Sequence, residues 1–113
     1  MIDSYSYGKI SVDGVQYPRD IFILPAKVKT DWFSRKGHEL AVKDLTEILQ
    51  EKPDLFVVGV GMEKHMKILG ETQKWLDELG IKYVAARTDE AVEIFNKSLK
   101  EGKRVVGAFH IFC

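Results

Sequence analysis

Residues 54–62 read DLFVVGVGM, and the fold turns on how this stretch is read. DLFVVGV (54–60) is a continuous apolar run, as expected of a strand covered on both faces. Gly59-Val60-Gly61 then looks like the opening of a nucleotide-binding fingerprint. That fingerprint needs a third glycine three residues after the second, so that helix and strand pack closely. It also needs an acidic residue at the end of the next strand, to hold a ribose. Lys64 stands in the first place and Arg87 in the second. No Gly-Lys-Ser/Thr follows, which argues against a Walker-type loop. The glycines therefore read as a sharp backbone turn from strand into helix.

Downstream, residues 63–79 have helical character, with Met66, Leu69, Leu76 and Leu79 apolar and Gly70 dividing a short turn from a longer helix. Gly80 suits the left-handed residue that closes a helix. IKYVAAR (81–87) is the next strand. Thr88 suits an N-cap, with Asp89 and Glu90 favourable at the positive helix end. Ala91, Val92, Phe95 and Leu99 form that helix's buried stripe, Gly102 closes it, and RVVGAFHIF (104–112) is the last strand.

Upstream, Val42, Leu45, Ile48 and Leu49 recur at helical spacing until Pro53. The first third reads as short strands. Ile10 and Val12 alternate with polar residues, and Asp13-Gly14 predicts a two-residue hairpin turn before Val15 and Tyr17. IFILP (21–25) and Val28–Trp32 predict further strands, and residues 34–39 an exposed loop. Strands joined by helical segments of this length imply parallel pairing with right-handed crossovers. The predicted architecture is one α/β domain over residues 1–113. It has three layers, an N-terminal β-hairpin and short strands, then α-β-α-β-α-β around a mixed, largely parallel sheet.

Composition bounds the function. The chain has 113 residues, 17 basic and 17 acidic, for zero net charge. Nucleic-acid binders usually carry a basic excess that releases counterions, so no nucleic-acid partner is expected. No apolar run is long enough to span a membrane, so no membrane partner is expected either. The single cysteine, Cys113, cannot form an intrachain disulfide. MIDSYSYGKI lacks the pattern of a signal peptide, and the expected location is the cytoplasm.

GVGM after the buried strand, RTDEAVEIFN at the third helix and GKRVVGAFHIFC at the end occur in an order that resembles one family of small α/β proteins. That family includes the mitochondrial complex I assembly factor 3 and the vertebrate adipogenesis-associated domain protein. The resemblance is closer to the latter, and continues upstream through DWFSRKGHE and YGKISVDG. It implies a compact fold with a mixed sheet and flanking helices. It brings no catalytic residues, and it implies an assembly role in one branch.

The residues themselves offer two candidate surfaces. The turn after the buried strand lies where open α/β sheets place ligands. Gly59 and Gly61 make the turn, backbone N–H groups near Met62 and Glu63 would face the ligand, and the next strand would bring Arg87 and Thr88 to the same edge. Such a site suits a small carboxylate or phosphate. The competing reading pairs Arg87 with Glu63 or Asp89. His110 joins this edge only if the last strand is parallel; rather than a metal ligand, it is expected to be a partly buried strand residue hydrogen-bonded to backbone. The second surface is DWFSRKGHE, where Trp32 and Phe33 adjoin Arg35, Lys36 and His38. Large aromatics beside basic groups are typical of contact surfaces. The alternative is that Trp32 packs inward.

His38, His65 and His110 show no metal-ligand spacing, and no nucleophile elbow is present. No cofactor, metal or catalytic residue is expected. The leading expectation is a non-enzymatic binding or assembly module with a protein partner, and with self-association as a further expectation. The rival is a small-molecule (anion) binding protein or enzyme using the Gly59–Glu63 turn and Arg87.

Overall fold

The computed structural model describes residues 1–30, 39–40, 42–46, 49–50, 52–64 and 66–112. The chain opens with an antiparallel meander of β1 (Ile2–Ser6), β2 (Lys9–Val12) and β3 (Val15–Tyr17). Val12 faces Val15 across the predicted Asp13-Gly14 turn, where φ is 48° and 84°. Two positive φ values in a two-residue loop give the turn whose twist matches a hairpin. Strand β1 was not foreseen: its IDSYS sequence has one apolar residue at each face and no run.

The central sheet has five strands. Its elements are β4 (Ile21–Ile23), β5 (Val28–Lys29), β7 (Leu55–Val60), β9 (Tyr83–Ala86) and β10 (Val105–His110), in the order β5-β4-β10-β7-β9. β10 and β9 both run parallel to β7, while β4 is antiparallel to β10 and β5 to β4. The mixed α/β expectation therefore holds. The direction of the last strand, which sequence left open, is parallel. β6 (Glu39–Leu40) pairs with β8 (Lys67–Ile68) in a separate parallel pair.

Alternation along β7 separates two apolar clusters. Phe56, Val58 and Val60 join Val106 and Ala108 with Leu76 and half-buried Trp75 and Leu79 of α2 (Gly70–Leu79). Val57 joins Val105 and Phe109 with Ala91 and Phe95 of α3 (Thr88–Lys100). Ile2, Ile10 and Val12 of the meander belong to this second cluster. Asn96 on α3 clamps the meander in place: it accepts the Ile2 N–H at 2.9 Å and donates to the Ile2 carbonyl at 2.8 Å. The radius of gyration, 12.7 Å, is that of a compact domain of this length.

Two helix expectations need correction. In the segment from Val42, α1 covers Val42–Leu45, the Leu49 N–H donates to the Leu45 carbonyl at 3.0 Å, and Ile48 lies outside the described residues. Residues 63, 64 and 66–69 are not helical: Lys64 takes φ 57°, Lys67 and Ile68 form β8, and Leu69 is extended. Apolar spacing there served alternation rather than a helix face, since Met66 is buried and Lys67 exposed. Thr88 is not an N-cap: extended Arg87 takes that position without a side-chain cap, and Thr88 begins the helix. Gly80 does close α2 in the left-handed region, at φ 72°.

Candidate functional site

Parallel strands end together, so β7, β9 and β10 deliver their last residues to one edge. Val60 stands beside His110 and Gly59 beside Ala86 in the sheet register. Five of the candidate residues, Gly59, Gly61, Met62, Thr88 and His110, converge there.

Their contacts are mostly with one another. Gly61 turns the chain at φ 95°, a conformation open to glycine. Its N–H donates to Thr88 Oγ1 at 2.8 Å, and the same hydroxyl donates to the His110 carbonyl at 2.6 Å. Thr88 is fully buried, so this oxygen bridges all three strand ends out of water. The Met62 N–H donates to the Phe112 carbonyl at 2.9 Å. A phosphate at a strand-to-helix turn is held by backbone N–H groups aimed at it. Here the Gly61 and Met62 amides are aimed at acceptors within the chain.

Gly59 serves close approach. A Cβ there would meet Thr88 Oγ1 at 3.0 Å and the Thr88 Cα at 3.2 Å, so the first residue of α3 rests directly on the strand. The missing third glycine of the fingerprint is thus answered from the other side, by α3 rather than by the helix that follows the turn.

Arg87 forks onto Asp89, with Nε–Oδ1 and Nη2–Oδ2 both at 2.8 Å. That bond holds the Asp89 carboxyl below its ordinary 3.8. Glu90 stands 3.9 Å from the Arg87 Nε. Of the two carboxylates weighed as Arg87 partners, Asp89 holds the bidentate contact. Glu63 lies exposed in the turn. Trp32, Arg35 and His38 lie outside the described residues.

His110 is buried, and so is its partner Asp20. Nδ1 sits 2.7 Å from Asp20 Oδ2, and Asp20 Oδ1 accepts the Ile111 N–H at 2.9 Å. With the carboxylate as acceptor, the ring proton lies on Nδ1. The bond joins β10 to the residue preceding β4, across a separation of 90 positions. Sequence offered no signal for Asp20, a lone acid before an apolar run. The backbone partner expected for the His110 ring is replaced by this carboxylate.

Tyr5, Tyr7 and Phe112 also went unforeseen at this edge. The β1–β2 turn reaches over residues 111 and 112: the Gly8 N–H donates to the Ile111 carbonyl at 2.8 Å, and Tyr5 Oη to the same oxygen at 3.1 Å. Burial raises the Tyr5 phenol above its ordinary 10.0, with further contributions from Asp89, Tyr7 and Asp20. Tyr7 and Phe112 meet edge to face at 5.8 Å, with 63% and 37% of their surfaces exposed. His110 lies under Phe112, ring centroids 6.2 Å apart.

Among the described residues, no group of three or more His, Cys, Asp or Glu side chains is placed to hold a metal, and no helix is long and apolar enough to cross a membrane.

Fold and edge together define a small mixed α/β domain whose strand-end turn is closed from inside and roofed by an aromatic hairpin tip. The chain belongs to the family described as protein of unknown function (DUF498/DUF598), whose model matches residues 2–110. Solved structures agree across the chain's full length. The conserved hypothetical protein PH1505 from Pyrococcus horikoshii OT3 is similar at 25% identity and TM-score 0.87, over 100% of this chain and 99% of that one. MT938 is similar in fold at 23% identity and TM-score 0.82, over 100% and 98%. A Bordetella pertussis protein described as a Mth938-like domain is similar at 25% identity and TM-score 0.68, over 98% and 85%.

Proposed function

We propose that this chain is a non-enzymatic protein-binding or assembly module, whose contact surface is the aromatic roof over the carboxyl edge of the central sheet. The observation that carries the reading is the exposed Tyr7–Phe112 pair, held in a fixed geometry by backbone hydrogen bonds from Gly8 and Met62. Rigid, half-exposed aromatics supply contact area at little entropic cost, which is why they dominate binding hot spots. The resemblance to the complex I assembly factor 3 and the adipogenesis-associated domain protein supports an assembly role, here in the cytoplasm. The DWFSRKGHE segment, with Trp32, Arg35 and His38, is a second candidate contact surface in this reading.

The test is affinity capture from native lysate with the wild-type chain and a Tyr7→Ser/Phe112→Ser variant. The expected result is a protein retained by the wild type and lost by a variant whose thermal unfolding is unchanged. Identical captures from both chains would refute the surface.

One observation favours a second reading. The Arg87 guanidinium already holds a carboxylate in a bidentate fork, that of Asp89. A small carboxylate or phosphate that displaced Asp89 would meet the same geometry. Calorimetric titration of phosphate and acetate into the wild type and Arg87→Ala separates the two: equal, negligible heats in both remove the anion site.

A further inference from the structure

Strand β9 ends the central sheet, so among the described residues one of its sides meets no other strand. Which backbone groups face outward follows from the register. The Phe56 N–H donates to the Lys82 carbonyl at 2.9 Å, with Phe56 opposite Tyr83. Parallel ladders alternate, so the Lys82 carbonyl, both polar groups of Val84 and the Ala86 N–H face β7. The N–H and C=O of Tyr83 and of Ala85 therefore face away from the sheet. Helix α3 packs mainly over β7, β10 and β1 and only lightly on β9. Ala85 is exposed, and Tyr83 and Val84 are half-buried. Natural sheets blunt such an edge with proline, a bulge or a charge within the strand. YVAA carries none of these.

The outward set is self-complementary. Placing a second copy antiparallel, with the two-fold axis at Val84, sets Tyr83 opposite Ala85 of the other copy. Directly opposed residues of this kind exchange both their N–H···O bonds. Val84 then meets its own symmetry mate in the close, non-hydrogen-bonded position on the α3 side of the sheet. On the α2 side the bulky Tyr83 ring is set against a methyl group. The same register carries each Arg87 opposite Ile81 of the other copy. Ile81 lines a shallow surface concavity with Asp77, Gly80, Lys82, Leu55 and Tyr83. The Arg87 guanidinium, forked onto Asp89 in its own copy, is thereby set beside a depression that Asp77 of the other copy lines, at both ends of the pairing.

We propose that two copies of this chain join β9 to β9 in an antiparallel two-fold pair, extending the five-stranded sheet into a continuous ten-stranded one. Backbone pairing of Tyr83 with Ala85 sets the register, and Arg87 against Asp77 closes each end. Only four residues of strand take part on each side, so the pair is weak and concentration-dependent. This surface is distinct from the Tyr7–Phe112 roof, and neither proposal requires the other.

Sedimentation velocity from about 10 µM to about 1 mM tests it, the range in which small interfaces associate. The wild type is expected to shift from monomer to dimer across that range. Ala85→Pro removes an outward N–H that the sheet does not use, and proline is tolerated at such edge positions. It is expected to weaken the dimer at least about ten-fold while leaving the far-ultraviolet circular dichroism unchanged. Asp77→Arg is expected to weaken it independently of any strand effect, and Asp77→Arg/Arg87→Asp to restore it. A wild type monomeric at every concentration overturns the proposal, whatever else binds the edge. So does a dimer that survives both Ala85→Pro and Asp77→Arg.

Discussion

Replacing Thr88 by valine keeps the shape of a fully buried side chain and removes one oxygen. That oxygen accepts the Gly61 N–H at 2.8 Å and donates to the His110 carbonyl at 2.6 Å. Thr88→Val therefore withdraws a partner from a donor and an acceptor at once, where Thr88 has no exposed surface. A buried polar group deprived of its partner costs about 1–3 kcal/mol, so the pair predicts a loss of about 2–6 kcal/mol. Thr88→Ser keeps the oxygen and removes one methyl, which costs about 1 kcal/mol. Urea denaturation of the two variants beside the wild type reads the difference directly, at constant m-value. If Thr88→Val is no less stable than Thr88→Ser, the hydroxyl does not join the strand ends as described.

The same geometry yields further expectations. Gly59→Ala places a methyl 3.2 Å from the Thr88 Cα, so α3 must shift; a loss of about 1–3 kcal/mol in urea is expected, and an unchanged midpoint would contradict the close approach. Asp20→Ala withdraws the acceptor from His110 Nδ1 and from the Ile111 N–H, which predicts about 2–4 kcal/mol of destabilisation in thermal or chemical unfolding. Tyr5 has an alkaline signature. Burial first, then Asp89, Tyr7 and Asp20, raise its folded-state pKa above 10.0, so the unfolded chain ionises at lower pH than the folded one. Its contribution is complete below the unfolded pKa and is lost as pH rises through the folded one. Unfolding midpoints from pH 9 upward, roughly, should fall more steeply for the wild type than for Tyr5→Phe; parallel curves would contradict the assignment.

Much of this architecture is legible along the chain because the signals are local. A four-residue-plus apolar run bounded by polar residues gave β7 and β10, Asp13-Gly14 gave the hairpin, and Gly80 gave the end of α2. The segment 63–69 misled because apolar residues at helical spacing there are shared between a turn, a two-residue strand and the approach to α2. The glycine turn was legible as a location but not as an arrangement. Its closure comes from Thr88, 27 residues onward, and from the carbonyl of His110, and no pattern in a single sequence joins them. Asp20 and Tyr7 were invisible for the same reason. Each acts at the carboxyl edge only because β4 and the meander fold back over strands far away in the chain.

The Gly61 amide gives the most direct test of the claim that this turn is closed from within. Its resonance, with that of Met62, can be followed by two-dimensional NMR while phosphate or a dinucleotide is added, and its exchange with deuterated solvent timed. Donation to a fully buried hydroxyl predicts slow exchange and no saturable shift at either amide. Rapid exchange of Gly61, with saturable shifts at both amides, would mean that the turn binds a phosphate after all.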